Sequence, residues 1–131
     1  MLSKKEIICP DNLLKIAKTK GPVKAVIVNA GKLIAIESAK QAVDYNLIEP
    51  IFIGNKSDIE KIATNIKWDI SKYEIINEPV ENSTALIAAK LASEKKVKII
   101  VKGHIHTDIL MKAVLKRDLN LIGKKRLSHL W

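Results

Sequence analysis

Two histidines and a threonine stand close together in the segment "KGHIHTDIL", and they are the residues whose types and spacing could do chemistry. His104 and His106 are one residue apart, and a metal ion can use such a pair because imidazole nitrogen is a common zinc ligand. A zinc site needs at least a third protein ligand, and the candidates Asp108, His129 and Cys9 form no recognised spacing with the pair. We therefore predict no metal site here.

An anion site is the alternative that the flanking residues allow. Gly103 has no side chain, so its backbone can approach a ligand closely. Thr107 stands where a helix would begin, and a cap there would aim the first N–H groups of the helix at an anion such as phosphate. The same two residues also fit a purely structural role as a turn and a helix cap, and the residue types alone leave both interpretations open.

The common nucleotide-binding motifs are absent from the sequence. It contains no Walker phosphate loop, and no G-x-G-x-x-G follows an apolar run. Gly31 and Lys32 follow the first such run and could approach a phosphate, but a lone Gly-Lys pair defines no motif.

Four short apolar runs predict the strands that must position these residues. Each run is rich in Val and Ile and is bounded by Gly, Pro or Asn. They are "VKAVIVNA" (23–30), "EPIFIG" (49–54), "YEIIN" (73–77) and "VKIIVKG" (97–103). Near-continuous apolarity is typical of parallel strands that are covered on both faces.

The segments before and between these strands show helical spacing of apolar residues. A first helix is predicted from Asp11 to about Lys18, and Asn55 or Ser57 is predicted to cap a later one. The residues predicted to face inward are Leu13, Leu14 and Ala17 in the first helix, Ile36, Ala39, Ala42 and Val43 in the second, Ile59, Ile62 and Ala63 in the third, and Leu86, Ala89 and Ala92, or positions next to them, in the fourth.

This alternation predicts one α/β domain over residues 1–131, a three-layer α/β/α arrangement around a mostly parallel sheet. Ligands of such folds bind beyond the carboxyl ends of the strands. The segment "GHIHT" follows the last apolar run, so it is predicted to lie at that edge.

Composition limits the partners. The formal net charge of +9 favours phosphate-rich ligands. The lysines are scattered, however, and only five residues are aromatic, so nucleic acid is not favoured as a partner. A single cysteine, the absence of an apolar run long enough to span a membrane and the lack of a signal peptide predict a cytoplasmic protein without a membrane anchor.

The last thirty residues, "KGHIHTDILMKAVLKRDLNLIGKKRLSHLW", resemble the phosphate acetyltransferase and phosphate butyryltransferase family. Members of that family contain a motif close to K-G-x-x-H-T-x-x-L-x-x-A-V. A helix, a Gly-containing turn and a strand that starts with Leu or Ile, Ser and His follow this motif. The resemblance is closest to the forms associated with enoyl-CoA hydratase domains, and a weaker similarity runs through residues 23–63.

The resemblance implies the N-terminal domain of an isocitrate/isopropylmalate dehydrogenase-like fold, with a second domain absent. It also implies transfer of an acyl group between acyl-CoA and phosphate, in which the thiolate of coenzyme A attacks the acyl-phosphate carbonyl directly. Coenzyme A is then a substrate, acyl phosphate and inorganic phosphate are the other reactants, and no tightly bound cofactor is expected.

Carried over by position, the resemblance places Gly103, His106 and Thr107 on a loop that faces the cleft between two domains. Thr107 and Ser128 are expected to donate to phosphate or acyl-phosphate oxygens, with His106 alongside them. The weaker candidates are Lys102 and Arg126, as electrostatic contributors, and His129 at the domain junction; His104 matches a variable position and is given no role.

Family members are longer than this chain and enclose their active cleft between two α/β domains. We therefore expect either a domain that works with a second-domain polypeptide, or a phosphate or CoA-binding module without turnover, or a truncated remnant. An uncovered domain face near Leu127, Leu130 and Trp131 predicts a homo-oligomer, which a single monomeric species in sedimentation would contradict.

Overall fold

The computed structural model describes residues 8–124, so Arg126, Ser128, His129 and the apolar residues 127, 130 and 131 lie outside the described residues. The helices are α1 (Asp11–Thr19), α2 (Leu33–Asp44), α3 (Lys56–Asn65), α4 (Glu81–Ser93) and α5 (Thr107–Val114), and a short 3-10 helix covers Arg117–Leu119. The strands are β1 (Val23–Val28), β2 (Ile48–Gly54), β3 (Ile75–Asn77) and β4 (Ile99–Lys102).

The four strands form one parallel sheet in the order β3-β2-β1-β4. Each strand lies within, or within one residue of, the apolar run that predicted it, so the α/β fold and the parallel sheet are confirmed. Val28 at the end of β1 pairs with Ile53 of β2 on one side and with Lys102 of β4 on the other. The carboxyl ends of these three strands therefore lie side by side.

Helices cover both faces of the sheet and give the predicted three layers. Along β1, Val26 and Val28 are buried against the side formed by α4 and α5. Ile27 points the opposite way, into the core formed with Ile36 of α2 and Ile59 of α3. Because all three β1 side chains are almost completely buried, the near-continuous apolarity of this strand follows from its two covered faces.

The start of α3 is set by the residue that the sequence predicted. The side-chain oxygen of Asn55 accepts a hydrogen bond of 3.2 Å from the backbone N–H of Asp58. This satisfies one of the N–H groups that have no partner inside the helix. Asn55 is therefore the N-cap, and the alternative, Ser57, lies inside the first turn.

Two of the residues predicted to face inward do not. Leu13 of α1 is 57% exposed, and α1 has no buried residue, because this helix does not pack closely against the sheet or another helix of the described residues. Leu86 of α4 is 40% exposed, whereas α4 packs through Ala85, Ala88 and Ala89. The small side chains let α4 approach both the sheet and α5. The periodic pattern alone did not show which face of α4 is buried.

Gly103 closes the join between β1 and β4. Its backbone N–H donates to the carbonyl of Val28 over 2.9 Å. A Cβ atom at this position would lie only 2.7 Å from the carbonyl oxygen of Asn29 and closer still to that of Val28. The backbones of the two strand ends thus fit against each other because residue 103 has no side chain.

We predict that Gly103→Ala lowers the free energy of unfolding by about 1–3 kcal/mol, since the added methyl group meets rigid backbone rather than a flexible side chain. Gly123→Ala is the matched control, because a Cβ there would have no neighbour within 4 Å among residues 8–124, and it should change stability by no more than about 0.5 kcal/mol. Urea unfolding followed by far-UV circular dichroism measures both. Equal stability of the two variants would show that the strand ends can separate without cost.

Candidate functional site

The loops that follow β1 and β4 meet at the carboxyl edge of the sheet. The neighbour of β1 on one side is β2, which follows it in the chain, and its neighbour on the other side is β4. The connections that leave β1 and β4 therefore run in different directions from this point of the sheet. Divergence of this kind leaves a crevice between the two loops, which is where α/β folds bind their ligands. The segment "GHIHT" lies here, as the sequence predicted.

The two loops are held together by three hydrogen bonds. The N–H of Gly103 donates to Val28, as described above, and the N–H of His104 donates to the carbonyl of Asn29 over 3.1 Å. The side-chain amide of Asn29 donates back to the carbonyl of His104. Asn29 has a φ of 54°, a left-handed conformation that asparagine adopts more readily than most residues.

Glu81 and His106 are joined by two further hydrogen bonds. The Oε1 atom of Glu81 lies 2.6 Å from the backbone nitrogen of His106 and 2.7 Å from its ring nitrogen Nδ1. Glu81 is the first residue of α4, and His106 immediately precedes α5, so one carboxylate connects the N-terminal ends of two adjacent helices. The residues are 25 positions apart in the chain and meet only through the fold.

These hydrogen bonds favour the ionised form of Glu81. The backbone N–H of His106, followed by its side chain, lowers the pKa of the Glu81 carboxyl below its usual value. Burial and the neighbouring carboxylate of Asp108 oppose that shift, but less strongly. The site therefore contains a carboxylate that remains charged at neutral pH.

A cavity of about 310 Å³ opens between these loops. It is lined by Asn29, Glu81, Lys102, Gly103, His104, Ile105 and His106. Of these residues Ile105 is buried, whereas Lys102, His104 and His106 are exposed. A larger cavity of about 390 Å³ lies beside Trp68 and Tyr73, but none of its lining residues belongs to the loops after β1 or β4.

The structure brings together Lys102, Gly103 and His106 from the predicted site residues. Thr107 lies next to the cavity as the first residue of α5, with an exposed side chain. Arg126, Ser128 and His129 fall outside the described residues. The roles of these residues toward a ligand stay predictions.

One prediction about Thr107 was wrong. The N-cap of α5 is His106, and the side chain of His106 makes no capping hydrogen bond. The carboxylate of Glu81, from another helix, accepts the N–H of His106 instead. Thr107 therefore has no capping role, and its hydroxyl is not needed to start the helix.

Sequence reasoning missed two residues of the site, and it had given a third no role. Asn29 follows directly after a buried strand, so its position at the carboxyl edge was available as a signal. Glu81 gave no local signal, because its contact with His106 depends on how α4 and α5 pack. His104 lines the cavity although its position in the family pattern is variable.

Within residues 8–124, no three His, Cys, Asp or Glu side chains come together as a metal site would require. In the same range, none of the helices has the length and apolarity to cross a membrane.

No family model matches the chain. Known proteins do: the phosphate acetyltransferase of Rickettsia prowazekii is 35% identical over 118 residues, which are 90% of this chain and 34% of that protein. The phosphate acetyltransferase of Rickettsia typhi is 34% identical, with the same shares of each chain. The phosphate butyryltransferase of Clostridium acetobutylicum is 30% identical over 112 residues, which are 86% of this chain and 37% of that protein.

Solved structures show the same fold. A phosphotransacetylase from Streptococcus pyogenes aligns with a TM-score of 0.66 at 17% identity, over 82% of this chain and 42% of that one. A phosphotransacetylase from Staphylococcus aureus aligns with a TM-score of 0.59 at 19% identity, over 73% of this chain and 38% of that one.

Over about nine-tenths of its length the chain is homologous to part of the phosphate acetyltransferases and phosphate butyryltransferases, and the family resemblance is confirmed. The chain spans about a third of the length of these relatives. The finer resemblance to forms associated with enoyl-CoA hydratase stays a prediction.

The pair formed by Glu81 and His106 makes stability depend on pH in a defined direction. A carboxyl whose pKa is lowered by folding stabilises the native state above its unfolded pKa of about 4.5, and the contribution is lost as pH falls through the folded pKa. Glu81→Gln should therefore destabilise the protein at pH 7, and its difference from the wild type should shrink below pH 4.5. Urea unfolding at both pH values measures this.

Glu37→Gln is the control for that experiment. Glu37 is an exposed residue of α2 that has no ion-pair partner among the described residues. It should leave the free energy of unfolding unchanged at both pH values. A Glu81→Gln effect that is the same size at pH 3.5 and pH 7 would mean that the carboxylate charge contributes nothing.

Proposed function

We propose that this chain forms one wall of a phosphate acyltransferase site and takes part in the transfer of an acyl group between coenzyme A and phosphate. The observation that carries the proposal is the homology to phosphate acetyltransferases and phosphate butyryltransferases over 90% and 86% of the chain, respectively. The cavity at the meeting point of the loops after β1 and β4 is where such a fold would bind its ligand.

The chain would act together with a further polypeptide segment. It spans about a third of the length of its relatives, and the cavity is open to one side because only the loops after two strands and the start of α4 form it. We propose that a second domain, by analogy with the two-domain family, supplies the opposite wall and most of the coenzyme A contacts. Such a partner would also cover apolar surface that is exposed in this chain.

The start of α5 is the proposed binding position for phosphate. The first N–H groups of a helix have no partner within it, and the helix dipole favours negative charge there. The hydroxyl of Thr107 is exposed and does not serve as a cap, so it is available to donate to a phosphate oxygen. Lys102, at the end of β4, adds positive charge to the same cavity, and the net charge of +9 attracts anions from a distance.

The proposed reaction requires little covalent chemistry from the protein. The thiolate of coenzyme A would attack the carbonyl carbon of an acyl phosphate, and the bond from that carbon to the phosphate oxygen would break. The protein's part is to hold two anionic reactants in line, to favour the thiolate and to stabilise the departing phosphate. The cytoplasm is the location that we propose.

We expect the purified chain to form a thioester from coenzyme A and butyryl or acetyl phosphate once the missing wall is supplied. The added polypeptide is the part of the Clostridium acetobutylicum phosphate butyryltransferase that lies outside its match to this chain. Absorbance of the thioester measures turnover by each polypeptide alone and by the mixture. Turnover by the mixture, or by this chain alone, supports the proposal.

Absence of turnover in every arm, with a positive control from the whole Clostridium enzyme, would contradict the proposal. Calorimetric titration with phosphate and with coenzyme A then separates the remaining alternatives. Binding without turnover identifies a non-catalytic binding module, and absence of binding identifies a remnant.

Thr107→Val connects any activity to this loop. The variant keeps the shape of the side chain and removes its donor, so the KM for acyl phosphate should rise about tenfold, the loss expected for a hydrogen bond to a charged group. Thr64→Val makes the same change at an exposed position of α3 and should leave the KM unchanged. An identical KM in the two variants would remove Thr107 from the site.

A further inference from the structure

We infer that Lys102 is a modification site, at which the side-chain amine takes the acyl group from an acyl phosphate in the cavity, and that this acylation weakens the anion site. The inference rests on the proposed acyltransferase function, because that function brings acyl phosphates to the cavity. It adds a chemical fate for Lys102 that is separate from turnover, and it makes the site sensitive to its own substrate.

The strand places the side chain of Lys102 on the side of the sheet where the cavity lies. Successive side chains of a strand point to opposite faces. Ile100 of β4 packs in the core formed with α4 and α5, whereas Val101 packs in the opposite core. Lys102 comes two residues after Ile100 and therefore extends toward the starts of α4 and α5. It lines the cavity there together with Glu81 and His106.

The ammonium group of Lys102 has no ion-pair partner within residues 8–124. Other lysines do have one. The Nζ atom of Lys96 lies 2.9 Å from a carboxylate oxygen of Glu94. The Nζ atom of Lys112 in α5 lies 3.6 Å from a carboxylate oxygen of Asp108. The amine of Lys102 is therefore held by no carboxylate of the described chain, and it can turn toward an anion in the cavity.

The cavity brings the amine and the acyl carbon close together. Its volume of about 310 Å³ is at the lower end of the range for ligand pockets, so a ligand inside it contacts most of its walls. With the phosphate group at the start of α5, as proposed above, the acyl carbonyl lies in the same small space as the end of the Lys102 side chain. Confining two reacting groups in this manner raises their rate of reaction above that in free solution.

An acyl phosphate can acylate an amine as well as a thiol, because both are nucleophiles toward its carbonyl carbon. In this step the ammonium group of Lys102 first loses a proton to water. The neutral Nζ atom then attacks the acyl carbonyl carbon, and the carbon–oxygen bond to phosphate breaks. Phosphate departs with the electron pair and takes up a second proton from the nitrogen. The products are an amide on Lys102 and inorganic phosphate.

The modification changes the charge of the cavity. Lys102 is the only lysine or arginine in the described lining, and its amide carries no positive charge. The carboxylate of Glu81 remains, and its negative charge is then opposed by the helix dipole without the lysine. Affinity for phosphate and for acyl phosphate therefore falls. An excess of acyl phosphate in the absence of coenzyme A would in this way close the site to further acyl phosphate.

Peptide mass spectrometry on the purified chain tests the modification without any need for turnover. The chain is incubated with acetyl phosphate in the absence of coenzyme A, and the acylated fraction of each lysine is followed over time. Lys98 is the matched control, because it directly precedes β4, is exposed and has no ion-pair partner within residues 8–124. It lies on the same face as Lys102 but about 13 Å away, at the other end of the strand.

We expect acetyl phosphate to acylate Lys102 at least about tenfold faster than Lys98. Acetic anhydride measures the intrinsic reactivity of the two amines, because it is uncharged and needs no anion site. Its rates at the two lysines should agree within about threefold, since both amines are exposed. Inorganic phosphate in large excess should slow the acetyl phosphate reaction at Lys102 at least about tenfold by occupying the site, and it should leave Lys98 unaffected.

Lys102→Gln imitates the neutral amide and tests the loss of anion affinity. Calorimetric titration with inorganic phosphate should give a Kd about tenfold above that of the wild type, the loss expected for a hydrogen bond to a charged group. Lys102→Arg keeps the positive charge and should stay within about threefold of the wild type. Lys98→Gln lowers the net charge by the same amount at the other end of β4 and should leave the Kd unchanged.

The outcomes separate this inference from the proposed function. Equal acylation of Lys102 and Lys98 by acetyl phosphate, or the same ratio of rates with both reagents, overturns the modification site, and the turnover assay then decides the proposed function by itself. Acylation of Lys102 that excess phosphate does not slow overturns the claim that the anion site directs it. An unchanged Kd in Lys102→Gln, or no phosphate binding by the wild type, overturns the loss of affinity. Selective acylation without turnover in any arm supports the modification site and contradicts the proposed function.

Discussion

The site depends on the parallel pairing of β1 with β4. That pairing sets Val28 opposite Lys102, so the loops that follow the two strands start side by side. The bonds from Gly103 to Val28 and from His104 to Asn29 continue the sheet into the loops by one further step. A side chain at residue 103 would push them apart, and the cavity, the start of α5 and the position of His106 would all change with them.

The strands were readable from the sequence because their signal is local. A buried parallel strand must be apolar on both faces, and Gly, Pro or Asn bounds each run. The order of the strands was not readable, since nothing in the residues of β4 says that it pairs with β1 rather than with β3. The edge at which ligands bind was therefore predictable, while the identity of the residues facing one another across it was not.

The errors concerned contacts that come from elsewhere in the chain. Thr107 has the residue type and position of a helix cap, yet the N–H at the start of α5 is satisfied by Glu81, a residue of α4. Leu86 has the spacing of a core residue, but α4 buries its alanines and leaves the leucine partly exposed. In both cases the packing of α4 against α5 decided the outcome, and a pattern within one helix carries no information about it.

A carboxylate beside a proposed phosphate site needs a physical account, because like charges repel. The carboxylate of Glu81 accepts hydrogen bonds only from His106 among the described contacts, so the N–H groups of the following residues in the first turn of α5 remain the ones directed at an incoming anion. The repulsion between the carboxylate and the phosphate is opposed by Lys102 and by the helix dipole. Lys102 and the helix dipole would then stabilise the charge that develops on the departing phosphate, while the carboxylate would keep the free anion from binding so tightly that it could not be released.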